Sequence, residues 1–194
     1  MSDIGATELD AALEALADQL AELGTRLHLV VIGGSGLIAI DAVARTTRDV
    51  DVVALEQGGV LVSAEPLPVP LAEAASIVAR DLGLEPNWLN PARQASLVHG
   101  LPDGFPKRVT TRDYGPSLRV SFAARVDQVC LKLYAAADRR EPRDFADLRQ
   151  LEPTVTELRA AARWARSPNM PGPFDDAMRQ ALEDLGVEDD GRIA

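Results

Sequence analysis

The sequence contains a single cysteine, Cys130, among 194 residues. One thiol cannot form a disulfide framework within the chain or a cysteine-rich metal site. Because Cys130 lies in the apolar segment VCLKLY, we expect it to be a buried core residue. Aromatic residues make up only 4% of the chain, so Ala, Val and Leu must supply most of a core whose hydrophobic share is an ordinary 46%.

Long apolar runs are also missing. No stretch approaches the roughly 18 residues that a membrane-spanning helix needs. The first twenty residues hold five acidic side chains and no Lys or Arg, which is unlike the basic start of a secretory signal. Together with the low cysteine content, these features predict a cytoplasmic protein.

The chain has no overall positive charge, with 20 Lys and Arg against 30 Asp and Glu and a net charge of −10. An acidic total by itself argues against a nucleic-acid partner. Residues 107–149 differ, because they hold ten Lys and Arg against six Asp and Glu. This basic stretch either faces a phosphate-bearing substrate or forms a solvated helix face, and charge alone favours neither interpretation.

Hydrophobic periodicity predicts alternating helices and strands in the first half of the chain. The predicted elements are a helix over 7–23 ending at Gly24, a strand over 27–32, a short helix over 37–45, a strand over 49–55, a short strand at 60–63 and a helix over 71–82. The segment 84–104 is rich in turn residues. A hairpin of 107–112 and 118–123 follows, and then four helices at about 125–138, 143–150, 155–166 and 174–185.

These elements predict an α/β (α+β) fold with a mixed sheet and a helical C-terminal part. The expected organisation is an N-terminal helix within 1–24, a core over 25–123, a helical part over 124–186 and a frayed tail at 187–194.

A glycine-rich turn, Gly33-Gly34-Ser35-Gly36, follows the first predicted strand. Such a turn lets the backbone approach a phosphate closely. One interpretation is a dinucleotide fold, since residues 34–39 fit the pattern G-x-G-x-x-A and Glu56 stands where a ribose-binding acid is expected. A dinucleotide-binding oxidoreductase or sensor is therefore an alternative function. The later hairpin and four helices disfavour it, because that fold continues with further βαβ units.

The second interpretation is based on Asp49 and Asp51. Side chains alternate between the faces of a strand, so these two carboxylates should lie on the same side. Two crowded carboxylates repel each other unless a cation neutralises them. Mg²⁺ prefers oxygen ligands and bridges to the oxygens of a triphosphate. The glycine turn and the acid pair together indicate phosphoryl-transfer chemistry with Asp49 and Asp51 as metal ligands.

Four short motifs then resemble a known family. Gly33-Gly34-Ser35 followed by RTTRDVD (45–51) resembles the signature of the DNA-polymerase-β-type nucleotidyltransferases. More narrowly, the chain resembles the AbiEii/MenT group of bacterial toxin nucleotidyltransferases. VCLKLYAA (129–136) looks like the K-L-x-A helix of that group, RDFADL (143–148) looks like its R-D-x-x-D-L motif, and NWLN (87–90) resembles a segment common in relatives of this size. The matches occur in the family's order between residues 30 and 150.

The resemblance implies an NTP substrate (a pyrimidine NTP is one candidate), Mg²⁺, and transfer of a nucleoside monophosphate with release of pyrophosphate. In the MenT branch the acceptor is the 3′ end of tRNA, so that translation is blocked, and a cognate antitoxin restrains the enzyme. The residues implied for catalysis are Asp49, Asp51, Lys132 and Asp147. Those implied for nucleotide binding are Gly33, Gly34, Ser35, Arg48, Lys132 and Asp144.

The chain departs from the family in one respect. Enzymes of the polymerase-β type usually place a third carboxylate on a later strand, and the candidate strand here, LRVSFA (118–123), has none. Either Asp147 takes its place or the attack proceeds without a dedicated base. A catalytically inactive nucleotide-binding partner protein is a further alternative. Thr47 is also predicted as a regulatory phosphosite, because a phosphate two residues before Asp49 would repel an incoming triphosphate.

Overall fold

A computed structural model of the chain describes residues 3–92, 100–166 and 175–189. The chain divides into two compact units. The sheet unit comprises residues 1–98 and 106–123, and the helical unit comprises residues 99–105 and 124–194.

The six strands found among the described residues all belong to the sheet unit. Its elements are α1 (Ala6–Glu22), β1 (Leu27–Ile32), α2 (Gly33–Ala39), β2 (Val50–Gln57), β3 (Val60–Ser63), α3 (Val69–Leu82), β4 (Leu89–Pro91), β5 (Thr110–Tyr114) and β6 (Leu118–Phe122). The strand order is β3-β2-β1-β6-β5, and β4 pairs with β2 beside this path. A short 3₁₀ turn, Phe105–Lys107, precedes β5.

One face of the sheet packs against α1 and α3. The apolar side chains of α1 recur at helical spacing, and those of the strands recur at every second position, so that both present a continuous apolar surface. Val50, Val52 and Leu55 of β2 belong to this core, and a β-bulge opposite β1 changes the alternation between Val52 and Leu55. Asp51 and Glu56 therefore lie on the opposite face of β2.

The strand directions exclude the dinucleotide interpretation. β1 and β2, which flank α2, are antiparallel, whereas β1 is parallel to β6. A dinucleotide-binding unit needs two parallel strands joined by a crossover helix. The alternative of a dinucleotide-binding oxidoreductase or sensor is therefore wrong, and the prediction of a mixed sheet is confirmed.

Several local predictions in the sheet unit need correction. The first hairpin strand, predicted over 107–112, lies at Thr110–Tyr114, because Lys107 ends a 3₁₀ turn. The helix predicted over 37–45 begins within the glycine turn and ends at Ala39, and Asp41 then takes a left-handed conformation with φ of 55° that stops it. Strand β4 was not predicted, because its three residues end in a proline within a turn-rich segment. Strand β3 has the predicted bounds.

The helical unit is organised around one buried helix. It contains α4 (Arg125–Arg139), α5 (Pro142–Leu151), α6 (Val155–Ala165) and α7 (Asp175–Asp184), and α4 packs against the other three. Eleven consecutive residues of α4 are buried. A polar side chain on such a buried helix needs a hydrogen-bond or ion-pair partner elsewhere in the protein. The single thiol, Cys130, lies in this buried stretch, as predicted.

Across the described ranges, every helix is too short or too polar to cross a membrane.

Candidate active site

Gly33 is the point where the glycine turn contacts β2. Its φ of 72° lies in the left-handed region that favours glycine. A Cβ atom at this position would also lie 2.5 Å from Oδ2 of Asp51. Both the backbone conformation and the close approach of the Asp51 carboxylate therefore require glycine at this position. The Asp51 side chain thus lies directly against the turn.

Gly34 makes the equivalent contact with the segment before β2. A Cβ atom there would lie 2.8 Å from Oγ1 of Thr47 and 3.2 Å from each terminal nitrogen of Arg45. Each glycine of the first motif thus accommodates a side chain of the second. The two motifs, separated in sequence by a short helix, form one packed unit.

The two acids stand at the start of β2. Asp49 immediately precedes the strand and Asp51 is its second residue, and both are half-buried. Val50, between them, is fully buried in the core. The Thr47 hydroxyl donates a hydrogen bond to Oδ1 of Asp49 at 3.1 Å. Since Thr47 contacts Gly34 and Asp51 contacts Gly33, the fold brings both predicted metal ligands to the same turn.

This donor set fits a magnesium ion that is shared with a substrate. Among the described residues there is no group of three or more His, Cys, Asp and Glu side chains that could hold a metal. Mg²⁺ is usually bound through one or two carboxylates together with substrate phosphates and water, and not by an all-protein cage. Asp49 and Asp51 could therefore hold Mg²⁺ when a phosphorylated ligand supplies further oxygens.

Ser35 has a buried side chain without a partner. Its relative exposure is 0%, and within the described ranges its hydroxyl makes no hydrogen bond. A buried hydroxyl that is left unsatisfied costs about 1–3 kcal/mol. Such a group in a native fold calls for an explanation, and a bound ligand is one. Its position directly after Gly34 places this unused hydroxyl at the glycine turn.

Thr47 is held in place from two sides. Its backbone N–H and carbonyl both pair with Ile4, at 2.9 and 2.7 Å, and its hydroxyl bonds to Asp49. The residue is only 2% exposed. The regulatory phosphosite at Thr47 stays a prediction, and this burial means that a kinase could reach the hydroxyl only after the segment opened. The fold instead uses the hydroxyl to orient a carboxylate.

Arg48, the arginine predicted to bind nucleotide, contacts the N-terminal segment. Its Nε lies 3.8 Å from Oδ1 of Asp3, and its side chain is 65% exposed. The guanidinium that lies against the glycine turn belongs to Arg45, three residues earlier. The sequence pattern contained both arginines but could not show which of them packs on Gly34.

Asn90 is a second residue that sequence reasoning missed. Strand β4 runs parallel to β2 and places Asn90 in register with Asp51. The strand examined for a third carboxylate, β6, pairs with β1 and not with β2. The strand beside the acid pair therefore offers an amide at this position. The NWLN segment was noted only as a resemblance, and its pairing with β2 depends on the tertiary fold.

The helical unit brings Lys132, Asp144 and Asp147 together. Nζ of Lys132 lies 3.0 Å from Asp144 and 2.7 Å from Asp147. Arg139 donates to the second oxygen of Asp144 at 2.7 Å. The lysine is 8% exposed and the aspartates 2% and 0%. Two cations and two carboxylates balance each other, as buried charges must. The K-L-x-A and R-D-x-x-D-L motifs thus supply each other's ion-pair partners.

Most cations of the basic stretch are already paired. At least six of its ten Lys and Arg side chains lie within 4 Å of a carboxylate of their own unit: Arg112, Arg119, Arg125, Lys132, Arg139 and Arg140. Arg112, for example, shares Asp10 with the hydroxyl of Tyr114, and burial together with that hydrogen bond raises the pKa of Tyr114 to about 12. The stretch is thus less available to a polyanion than its composition indicates.

A separate polar cluster lies at the opposite end of β1. His28 bonds through Nδ1 to Glu56 at 2.7 Å and through Nε2 to the Ser121 hydroxyl at 2.8 Å. The backbone N–H of Gly59 and the bond to His28 lower the pKa of Glu56. An open cavity of about 570 Å³ borders this cluster. Glu56, the residue considered as a ribose-binding acid, thus serves as a partner of His28.

Comparison with known proteins gave one family. The family model described as "Nucleotidyltransferase of unknown function (DUF6036)" matches residues 9–155. Searches of curated proteins and of solved structures found no significant match. The matched range includes the glycine turn, the acid pair and the motifs of α4 and α5.

Proposed function

The chain belongs to this family of nucleotidyltransferases, and we propose that it transfers a nucleoside monophosphate from an NTP to an acceptor hydroxyl, releasing pyrophosphate. The match confirms the prediction of a nucleotidyltransferase at the level of the superfamily. The observation that supports the proposed chemistry most strongly is the packing of the two motifs, in which Asp51 contacts Gly33 and Thr47 joins Gly34 to Asp49.

In this proposal Asp49 and Asp51 hold Mg²⁺. The bound ion would supply charge neutralisation for the triphosphate. Gly33 and Gly34 allow the phosphates to approach the backbone, and the buried hydroxyl of Ser35 gains the hydrogen-bond partner that it lacks among the described residues. Thr47 keeps Asp49 oriented through its hydroxyl.

For Lys132 of the helical unit we propose a role in binding the triphosphate, and the support for it is the resemblance of its K-L-x-A motif to that of the AbiEii/MenT group. Asp144 and Asp147 fix the position of its ammonium group. Asp147 is fully buried and bound to this lysine, so we assign it a supporting role and not that of a general base.

The reaction forms one bond and breaks one. The acceptor oxygen attacks the α-phosphorus in line, the bond from this phosphorus to the bridging oxygen of the β-phosphate breaks, and pyrophosphate leaves. The proton of the acceptor hydroxyl is released to water. Catalysis of this kind depends mainly on positioning and on neutralising charge, which is what a rigid turn with two fixed carboxylates provides.

We propose the 3′ end of tRNA as the acceptor, which would make the protein a translation-blocking toxin restrained by a cognate antitoxin. The support for this part is the resemblance of the four motifs to the AbiEii/MenT group. The positive charge of residues 107–149 adds little, since at least six of the ten cations have internal partners. This pairing favours a second candidate acceptor, a small molecule with a hydroxyl group.

The test is incubation of the purified protein with total RNA, Mg²⁺ and each α-labelled NTP in turn. We expect label at the 3′ end of tRNA and a transfer rate that falls steeply with salt, since each phosphate contact releases counterions. Asp51→Asn serves as the inactive control. Label on a small hydroxyl compound with a shallow salt dependence would replace tRNA by the second candidate. NTP binding without transfer to any acceptor would indicate the inactive partner protein.

A further inference from the structure

We propose that Arg45 binds the polyphosphate of the nucleotide at the glycine turn, the role that the sequence motif had suggested for Arg48. This inference rests on the proposed function and names a residue that contacts the substrate of that same site.

The position of the Arg45 guanidinium is the first argument. Both of its terminal nitrogens would lie 3.2 Å from a Cβ atom on Gly34, so the group lies against the backbone of the turn. Nη1 also donates to the carbonyl of Thr46 at 2.8 Å, which fixes one edge of the group. A guanidinium has a planar fork of donors that matches two phosphate oxygens at once. Here that fork is held beside a turn suited to phosphate.

The buried hydroxyl of Ser35 is the second, independent argument. Within the described part of the chain it makes no hydrogen bond, and it follows directly after the glycine that Arg45 contacts. A hydroxyl can donate to a phosphate oxygen, as can an arginine. One donor group thus lies against Gly34 and the other belongs to the next residue, so that a polyphosphate at this turn would use both.

Electrostatics provides the third argument. Asp49 and Asp51 place two negative charges at the site where a polyanion would bind, so positive charge is needed beyond a single divalent ion. Arg45 is half-buried at the turn, where its charge is screened less than at the surface. Arg48 is largely exposed and lies near Asp3, and an exposed pair of this kind contributes little.

Arg45→Gln and Arg48→Gln are matched variants, because each removes one positive charge from the same seven-residue motif. Binding is measured by calorimetry, with Mg²⁺, for three probes: NTP analogues whose α–β bridge is a methylene group, inorganic pyrophosphate and free nucleosides. We expect Arg45→Gln to weaken the analogues and pyrophosphate by about tenfold to a hundredfold, the usual worth of a hydrogen bond to a charged group. Nucleoside binding should not change, and Arg48→Gln should stay within about twofold of wild type.

The thermal midpoint of each ligand-free variant shows whether it folds. If Arg45→Gln does not fold, Arg45→Lys is tested in its place. This variant keeps the charge but loses the planar fork of donors, and its affinity for pyrophosphate should fall at least about threefold. If wild type binds the analogues and the Arg45 variants bind equally well, or if both glutamine variants weaken binding equally, this inference is wrong and the proposed function stands. If wild type binds neither analogue nor pyrophosphate, the proposed function fails as well.

Discussion

The acid pair of the sheet unit and the ion-pair cluster of the helical unit both contain two aspartates, but they differ in burial and in the charges around them. Asp49 and Asp51 are half-buried, carry charge of one sign and lie on a turn shaped by two glycines. Lys132, Asp144 and Asp147 are buried, and with Arg139 their charges cancel. A half-buried pair of carboxylates can take up a cation, whereas the two cations and two carboxylates of the buried cluster balance one another.

The two regions differ in what they indicate about function. A departure from local stability rules, such as like charges held together or a buried hydroxyl without a partner, points to a ligand. Buried charges that pair with one another, as Lys132 and Arg139 do with Asp144 and Asp147, are required by the fold and do not by themselves indicate a ligand. Substitutions in the two regions should therefore differ in their effect on stability: those of the acid pair should leave the fold intact, whereas those of the buried cluster should destabilise it.

The largest effect is expected from breaking the balanced cluster. Asp147→Ala leaves Lys132 with one of its two carboxylates in a buried position, and we expect the free energy of unfolding to fall by about 3–5 kcal/mol. Urea denaturation measures it, with Asp138→Ala, an exposed aspartate on helix α4 of the same unit, as the control. A loss below about 1 kcal/mol would mean that the cluster does not stabilise the unit.

The acid pair should respond in the opposite way. Asp49→Asn or Asp51→Asn should reduce nucleotidyl transfer by at least about 10²–10³-fold while the ligand-free protein stays folded, because an amide keeps the size of the carboxylate but loses the charge that holds the metal. Transfer kinetics and the thermal midpoint are measured together, with Asp41→Asn, an exposed residue of the same unit, as the control. Near-normal transfer in both variants would remove the basis of the proposed function.

Thr47 tests whether the acid pair needs internal support. Thr47→Val keeps the shape but removes the hydroxyl that bonds to Asp49, and we expect Mg²⁺ binding in the presence of NTP to weaken about tenfold. Thr47→Ser keeps the hydroxyl and should remain within about threefold of wild type. Equal affinity in the two variants would show that Asp49 is oriented without Thr47.

The smallest effect concerns a charge pair outside both clusters. Arg125 donates to Glu157 at 2.6 Å, and this bond, with the backbone N–H of Thr154, lowers the pKa of Glu157 from 4.5 to about 2. A lowered pKa stabilises the fold above pH 4.5, and the gain is lost as pH falls towards 2. Because the pair is partly exposed, solvent reduces the gain to about 1 kcal/mol.

Urea denaturation at several pH values compares wild type with Glu157→Gln. The difference in stability should be largest near pH 6 and should disappear by about pH 2. A difference that stays constant over this range would show that the carboxylate charge of Glu157 does not stabilise the fold.

Much of the fold followed from local patterns. The apolar spacing of α1, the β-branched run of β1 and the four later helices were predictable, because each presents its buried face at the period of its own secondary structure. Strand β4 was not, since three residues ending in Pro91 have no period to detect. The end of α2 was placed too late because the left-handed conformation of Asp41 is not visible in its apolar pattern.

The sequence by itself determined which chemical groups the chain contains. These are two carboxylates separated by one residue, a glycine-rich turn and a lysine in an apolar helix. The tertiary structure decided which side chains meet. The Asp51 side chain packs against Gly33, and the Thr47 and Arg45 side chains pack against Gly34, only in the folded turn. The pairing of β4 with β2 likewise places Asn90 beside Asp51. The physical reason is that side-chain identity is local, whereas close approach depends on contacts between segments that are distant in the chain.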